Sequence, residues 1–431
     1  MGTVSRFSNI ALRILTVPMV INYLGNERFG LLMTVSSITG YVFLLDFGIA
    51  SSLVNRLTEC YAKGDRIRAD NYITAGIVFL SAVVIISGVL VILAIPMVSW
   101  VHLFKVSKMT EYEVNSTIVI ACFLFLIQLP LSVISKVPYT LHKGILTEVY
   151  LFLGNIFSFI GVLVGVHNGF PVSLILLFLV GSAVFGGMGL LVHLLARRMI
   201  SIRLPKVRDL LSVVNESCKT GFDFVLMQSV GVLIIGLPFS ILGFYHGAEA
   251  VAPFALMFQI LIALQTPFVA LVQPMWTEVA HFAGERDYHG IMELLKQYEK
   301  MAVGYSLAVS CFLIFATNPI IDLLIKHPTV ISMELRVAFA FWMILGLLFG
   351  GGIGAVILGL NLTRQIAIVS IGQLVVFLLV SLLIIPRFAA FGAVIGVCSG
   401  YFVTIPGSIW LITKKLKAGI AGNCRGLQSI N

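Results

Sequence analysis

Charge is what this chain lacks. Only 11% of its 431 residues are Asp, Glu, Lys or Arg, against 59% hydrophobic residues, and its mean hydropathy is +1.05. A water-soluble domain cannot bury that much apolar surface, whereas a bilayer demands it. Cysteine is scarce as well. Cys60 and Cys424 fall in polar stretches and Cys122, Cys218, Cys311 and Cys398 in or beside apolar runs, at no spacing that suggests disulfides or a metal site. No G-x-x-x-x-G-K-[ST] is present, so no ATP-binding loop powers the chain directly, and no H-E-x-x-H or Cys/His cluster offers itself to a metal. No cofactor is expected. Long polar loops are missing too: the longest external one, about 98–116, holds His102, Lys105, Lys108, Glu111 and Glu113. A membrane glycosyltransferase or ligase needs more external polar surface to build its site, so the chain does not read as an enzyme.

What is present is a series of apolar runs near 7–25, 29–55, 71–97, 117–137, 148–167, 171–195, 218–245, 250–277, 300–325, 336–358, 365–385 and 391–413. Roughly 20 apolar residues cross the hydrocarbon as a helix, so the reading is an all-α polytopic membrane protein with about 12 transmembrane helices. The first run is not a cleavable signal, because Arg13 lies inside it and no A-x-A site follows. Lys and Arg alternate sides: one set of loops carries 21, the other six (Arg28, Lys105, Lys108, Lys326, Arg336, Arg387), and Arg13 sits within the first span. Cytoplasmic loops hold the excess, which places both termini in the cytoplasm. The net charge of +9 is then topology and contact with anionic membrane lipids, without nucleic acid.

The chain repeats itself at an offset near 220. Tyr23-Leu24-Gly25-Asn26-Glu27 returns as Tyr245-His246-Gly247-Ala248-Glu249, Pro18 as Pro238, Glu59 as Glu278, and Gly64-Asp65 as Gly284-Glu285. Two copies of six spans share one orientation and define two pseudo-symmetric lobes around a central cavity, the layout of alternating access. The expected organisation is a lobe over 1–195, a basic cytoplasmic linker over 196–217, a second lobe over 218–413 and a basic tail over 414–431. Pro18 and Pro238 each remove a backbone hydrogen bond in paired helices, leaving either a hinge or passive curvature. Small residues at fourfold spacing, Gly392/Gly396/Gly400, Gly161/Gly165 and Gly350/Gly354, read as helix-packing devices.

Polar groups at membrane depth are costly and normally face a cavity or each other. Arg6, Asn9, Arg13 and Thr16 share one face of the first span, with Arg13 roughly 12 Å in from its cytoplasmic end. Asp46 lies at a similar depth in the second span, so an Arg13–Asp46 pair is feasible, although Asp46 falls opposite the Ser37/Tyr41/Asn55 side. Gln259, Thr266 and Gln273 recur at sevenfold spacing in the eighth span; Lys136 ends the fourth, and Asp223 opens the seventh one turn from Lys219. Plainer roles stand beside these: Arg13 and Lys136 can snorkel to headgroups, and Lys219–Asp223 can be a local i,i+4 pair. Cationic groups in a partly dry cavity favour an anion, and amide and hydroxyl stripes suit sugar hydroxyls. That combination fits a lipid-linked pyrophosphoryl oligosaccharide better than an organic cation, without excluding other anions.

Tyr23-Leu24-Gly25-Asn26-Glu27-Arg28-Phe29-Gly30, then Leu45-Asp46-Phe47-Gly48-Ile49 and Glu59…Ala62-Lys63-Gly64-Asp65, resemble the start of bacterial polysaccharide flippases. These are O-antigen translocases of the Wzx type, in the multidrug/oligosaccharidyl-lipid/polysaccharide exporter superfamily. The local match covers about residues 6–75, and the twelve-span plan nearly the whole chain. The resemblance implies a bacterial inner-membrane protein that moves undecaprenyl-pyrophosphate-linked repeat units from the cytoplasmic to the periplasmic leaflet. It implies a cationic cavity, for which Arg13 is the best match, and polysaccharide polymerase and chain-length machinery as candidate partners. The roles given to Asn9, Thr16, Lys136, Gln259, Thr266 and Gln273 in substrate binding, and to Asp46 and Asp223 in ion pairing or coupling, rest on the residues alone. Two other classes remain: a cation-coupled multidrug exporter of the same fold, which would favour deep carboxylates, and a membrane polymerase or ligase.

Overall fold

The computed structural model describes residues 2–46, 48–201, 222–272, 275–325 and 331–428, and among these every regular element is helical. That follows from the solvent. In hydrocarbon no water satisfies a backbone N–H or C=O, so a spanning segment must bond within itself. Eight of the described helices are long and apolar enough to cross a membrane, nine if Val172–Val180 and Ser182–Ala196, bent by 55°, form one span.

That count differs from the expected twelve because helices fuse and break at places apolarity does not mark. Helix α1, Gly2–Gly40, joins the first expected span to the second through Gly25, whose backbone (φ 77°, ψ 173°) only glycine adopts without strain. The second expected span, 29–55, is not continuous. It ends in a 3-10 turn, Tyr41–Asp46, and restarts after Gly48 as α2, Ile49–Ala62. Helices α3 (Arg66–Ala94), α4 (Trp100–Leu103), α5 (Glu111–Thr140), α6 (Gly144–Asn168), α7 (Val172–Val180) and α8 (Ser182–Ala196) follow. Side-chain caps set two of their starts: Asp65 accepts from the Arg68 N–H, and Thr110 from the Glu113 N–H.

The remainder comprises α9 (Phe222–His246), α10 (Ala248–Val272), α11 (Met275–Glu285), α12 (Tyr288–Phe315), α13 (Thr317–Leu324), α14 (Met333–Leu348), a π-helical turn Phe349–Ile353, α15 (Gly354–Gly359) and α16 (Thr363–Gln428). Here the expected span 336–358 is divided by the π turn, and the last two expected spans run into one another through Ala389 (φ 46°, ψ −127°).

The chain divides into two compact units, one of residues 1–232 with 246–252, the other of 233–245 with 253–431. Residues 202–217 of the expected linker lie outside the described residues; the expected tail continues α16 to Gln428.

In the first unit α5 is the central helix, packed against α1, α2, α3, α6, α7 and α8. Leu126, Leu129, Val133, Ile134 and Val137 on α5 are buried with Leu53 and Leu57 on α2, Ile73 and Leu80 on α3, and Leu190 and Leu194 on α8. Lipid is as apolar as leucine, so close packing rather than burial must hold such helices together. The α6–α8 crossing shows how. A Cβ on Gly154 would fall 2.3 Å from the Ser182 carbonyl oxygen, and one on Gly186 would fall 2.7 Å from that of Tyr150.

In the second unit α12 packs on α11, α13, α14 and the π turn, and α11 on α15. The rings of Phe254 and Phe339 lie 5.4 Å apart, with Trp342 stacked on Phe339 at 5.4 Å. Gly396 and Gly400 work as packing glycines: their Cβ positions would meet Ser381 and Gln373. Gly350 does not. Nothing lies within 4 Å of its Cβ position, because Gly350 belongs to the π turn and not to a helix–helix seam.

Candidate functional site

The polar residues of α5 at 128, 132, 135, 136 and 139 recur at helical spacing and so share one face. That face, with Thr147, Tyr150 and Leu151 of α6 and Ala183, Gly186, Gly187 and Leu190 of α8, lines a cavity of about 320 Å³ inside the first unit. The glycines of the α6–α8 crossing make room for it: without side chains at Gly186 and Gly187, the cavity wall there is backbone. Among the described residues, Lys136 is the only charged one lining it.

The hydroxyl protons around Lys136 are already committed. Ser132 donates to the Leu129 carbonyl at 2.6 Å, Ser135 to the Ser132 carbonyl at 2.7 Å, Thr147 to the Ser135 carbonyl at 3.1 Å, and Tyr139 to Glu148 at 3.0 Å. Ser132 Oγ is also 3.4 Å from Asp46 Oδ1, but a hydroxyl has one proton and the shorter contact takes it. These oxygens are left as acceptors, and the donors offered to a guest are those of the Lys136 ammonium, the Gln128 amide and the Tyr150 hydroxyl. Apolar walls with one cation and a few hydroxyls suit the charged head of an amphiphile.

Asp46 stands at the edge of this arrangement. It closes the 3-10 turn, accepts the Ala50 N–H at the start of α2, and lies close enough to Lys136 for the two charges to attract. Its counter-charge among the described groups is thus Lys136. The sequence pairing with Arg13 concerns a side chain outside the described residues.

The other expected site residues are placed as follows. Asn9 and Arg13 lie in helix α1, but their side chains are outside the described residues. Thr16 is buried and donates its proton to the Leu12 carbonyl at 2.6 Å; Thr266 does the same to Ile262 at 2.7 Å. Back-bonding of this kind leaves only hydroxyl lone pairs for a substrate. Gln259 is half-buried on α10 and engaged in an interaction, whereas Gln273 is outside the described residues. Asp223 starts α9, its side chain and the whole of Lys219 likewise outside. Pro18 and Pro238 sit inside α1 and α9, and the recorded break in α1 is at Gly25, not at Pro18. Of the expected set, the structure brings Lys136 and Asp46 together. It adds Gln128, Ser132, Ser135, Tyr139, Thr147 and Tyr150, which sequence reasoning missed. The periodicity on α5 could have flagged its members; Thr147 and Tyr150 join only through tertiary packing.

The family described as "Polysaccharide biosynthesis protein" matches residues 2–278. A Yersinia pseudotuberculosis protein, named provisionally for O-antigen export, is 19% identical over 317 residues, covering 72% of this chain and 70% of that one. Among solved structures, the lipid II flippase MurJ in an inward closed conformation superposes with a TM-score of 0.76 at 13% identity, over 97% of this chain and 89% of its own. A multidrug resistance MATE family transporter of the MOP superfamily, inward-facing, superposes with a TM-score of 0.73 at 16% identity, over 96% of both chains. At these identities the structural likeness establishes a shared fold.

Proposed function

We propose a function from this premise: the chain belongs to the polysaccharide biosynthesis protein family. It is a membrane transporter of lipid-linked polysaccharide, and in our reading its cargo is the undecaprenyl-pyrophosphate-linked repeat unit of O-antigen or another surface polysaccharide. Transfer runs from the cytoplasmic to the periplasmic leaflet of the bacterial inner membrane by alternating access, with both termini cytoplasmic. The observation that carries the reading is the placement of Lys136, among the described residues the one charged group lining an otherwise polar and apolar cavity in the first unit. A lipid-linked pyrophosphate has the matching parts: an anion for the ammonium, sugar hydroxyls for the Ser132, Ser135 and Tyr150 oxygens, and a chain for the leucine walls. Asp46 keeps Lys136 neutralised until the anion displaces it. Arg13 is a second phosphate contact on α1, and Pro18 and Pro238 are the points at which the paired helices flex. Partners of this role are the polymerase and chain-length machinery that consume the flipped unit.

The test is deletion of the gene in its host, with surface polysaccharide resolved on a gel and lipid-linked intermediates extracted. The reading requires loss of surface polymer together with accumulation of the complete repeat unit on its carrier in the cytoplasmic leaflet. Single repeat units still reaching the surface without long chains would make the protein a polymerase. Unchanged polysaccharide with altered drug sensitivity would make it an exporter.

A further inference from the structure

Far from Lys136 in sequence, the second unit holds a carboxylate that the transport reading does not use. Glu299 lies midway along α12, half-buried, and its Oε1 accepts two backbone hydrogen bonds, from the N–H of Gly352 at 3.2 Å and of Ile353 at 3.2 Å. Both donors belong to the π-helical turn Phe349–Ile353, where the Gly354 N–H reaches back to the Phe349 carbonyl. The residue types are fitted to this contact. A Cβ on Gly352 would lie 2.9 Å from Glu299 Oε1 and 2.7 Å from Leu295 Cδ1, so a methyl group there pushes the ends of both side chains away from the amide, whereas nothing lies within 4 Å of a Cβ on Gly350. Single π turns inside helices are uncommon and frequently sit at functional sites. In this one, two backbone amides donate to a side chain from another helix.

We propose that Glu299 is a proton-binding site whose ionised form holds the π turn of α14–α15, so that proton loading lets this helix return to regular α geometry. An ionised carboxylate makes charge-assisted hydrogen bonds about twice as strong as a neutral acceptor. Protonation therefore weakens both bonds at once. Removing a π bulge shifts the helix beyond it by one residue, a turn of about 100°. What would turn is α15, which packs on α11 so closely that a Cβ on Gly359 would fall 2.5 Å from Val279.

The surroundings leave the proton as the ligand. On α12 itself Lys296 and Lys300 are exposed, and Tyr298 interacts with Glu278 of α11, where His281 is engaged with Glu285. On α14 the charged residues, Glu334 and Arg336, sit in the first turn, roughly 20 Å from the π turn at 1.5 Å per residue. Asp322 is near the end of α13. From α16, Tyr401 sets its ring 6.2 Å from that of Phe349, tilted by 58°; Cys398 is buried, and Arg364 lies in the first turn. Among the described residues, the groups that act on the Glu299 carboxylate are the two amides. Among the described residues no group of three or more His, Cys, Asp and Glu side chains that could hold a metal is found.

The test is hydrogen–deuterium exchange of the purified full-length protein in lipid nanodiscs, following peptides that span 345–358 from about pH 4 to pH 9, with rates corrected for intrinsic exchange. The Gly352 and Ile353 amides should be held by the carboxylate at high pH and exchange roughly tenfold faster as pH falls, because the released turn interconverts between π and α geometry and opens both amides in passing. Glu299→Gln keeps the shape with a neutral acceptor, and should show the low-pH protection at every pH. Gly352→Ala should abolish the pH dependence, and Gly350→Ala should keep it. A pH-independent wild type, or a Glu299→Gln profile equal to that of the wild type, overturns the proposal. No substrate enters this measurement, so its failure would leave the transport reading standing, and failure of that reading would leave the proton site standing.

Discussion

The carboxylate of Glu27 accepts the backbone N–H of Ser107 at 2.7 Å and its hydroxyl at 2.8 Å, 80 residues further along the chain. The Lys108 N–H adds a third bond at 2.7 Å, and Glu27 is only 5% exposed. Arg28 beside it pairs with Glu113 at 3.2 Å, and Tyr23 donates to the Phe170 carbonyl at 2.7 Å. The Tyr23–Glu27 motif that marks the repeat, with Arg28 after it, is thus, in the first unit, a clamp on the segments after α4 and α6. Glu27→Ala leaves three donors without their acceptor and should lower stability by about 3 kcal/mol. Thermal unfolding of the variant in detergent should show the drop, with Glu27→Gln falling between variant and wild type.

Lys136 is expected to act through its charge. Lys136→Ala should reduce surface polysaccharide at least tenfold in a complemented deletion strain, at unchanged membrane expression, and Lys136→Arg should retain most of it. Full activity of Lys136→Ala would assign the residue to snorkelling at the membrane surface.

Asp46 serves two purposes that substitution separates. Asp46→Asn keeps an oxygen for the Ala50 N–H and should fold normally, while transport falls because Lys136 loses its counter-charge. Asp46→Ala should in addition lose about 1 kcal/mol of stability at the start of α2. Paired unfolding and polysaccharide measurements on the two variants check both parts.

Helix packing gives a contrast within one residue type. Gly154→Ala places a methyl group 2.3 Å from the Ser182 carbonyl oxygen, whereas Gly304 has nothing within 4 Å of its Cβ position. Gly154→Ala should reduce the yield of folded protein in size-exclusion chromatography, and Gly304→Ala should be neutral or stabilising by up to about 1 kcal/mol.

The spanning helices were legible because hydrocarbon imposes the same demand on every crossing: a long apolar run with its backbone bonded internally. Their breaks were not. Tyr41–Leu45 is as apolar as any helix interior, and the interruption there depends on the Asp46 carboxylate meeting the Ala50 amide. Gly350 and Gly354 look like a packing motif in sequence, and only the approach of Glu299 from a helix some 50 residues away shows a π turn instead. The site divides along the same line. Lys136 stands out as an ionisable group at the end of an apolar run, and Asp46 as one inside such a run. Thr147, Tyr150 and the glycine wall of the cavity carry no local signature, since α6 and α8 place them by packing.

The most direct measurement is transfer of a fluorescent undecaprenyl-pyrophosphate-linked oligosaccharide across proteoliposomes holding the purified protein, read by quenching of the label in the outer leaflet. The account predicts that protein-containing vesicles equilibrate the lipid between leaflets while protein-free vesicles do not, and that Lys136→Ala slows the transfer at least tenfold. Transfer no faster than in protein-free vesicles, with the protein folded and the substrate intact, would contradict it.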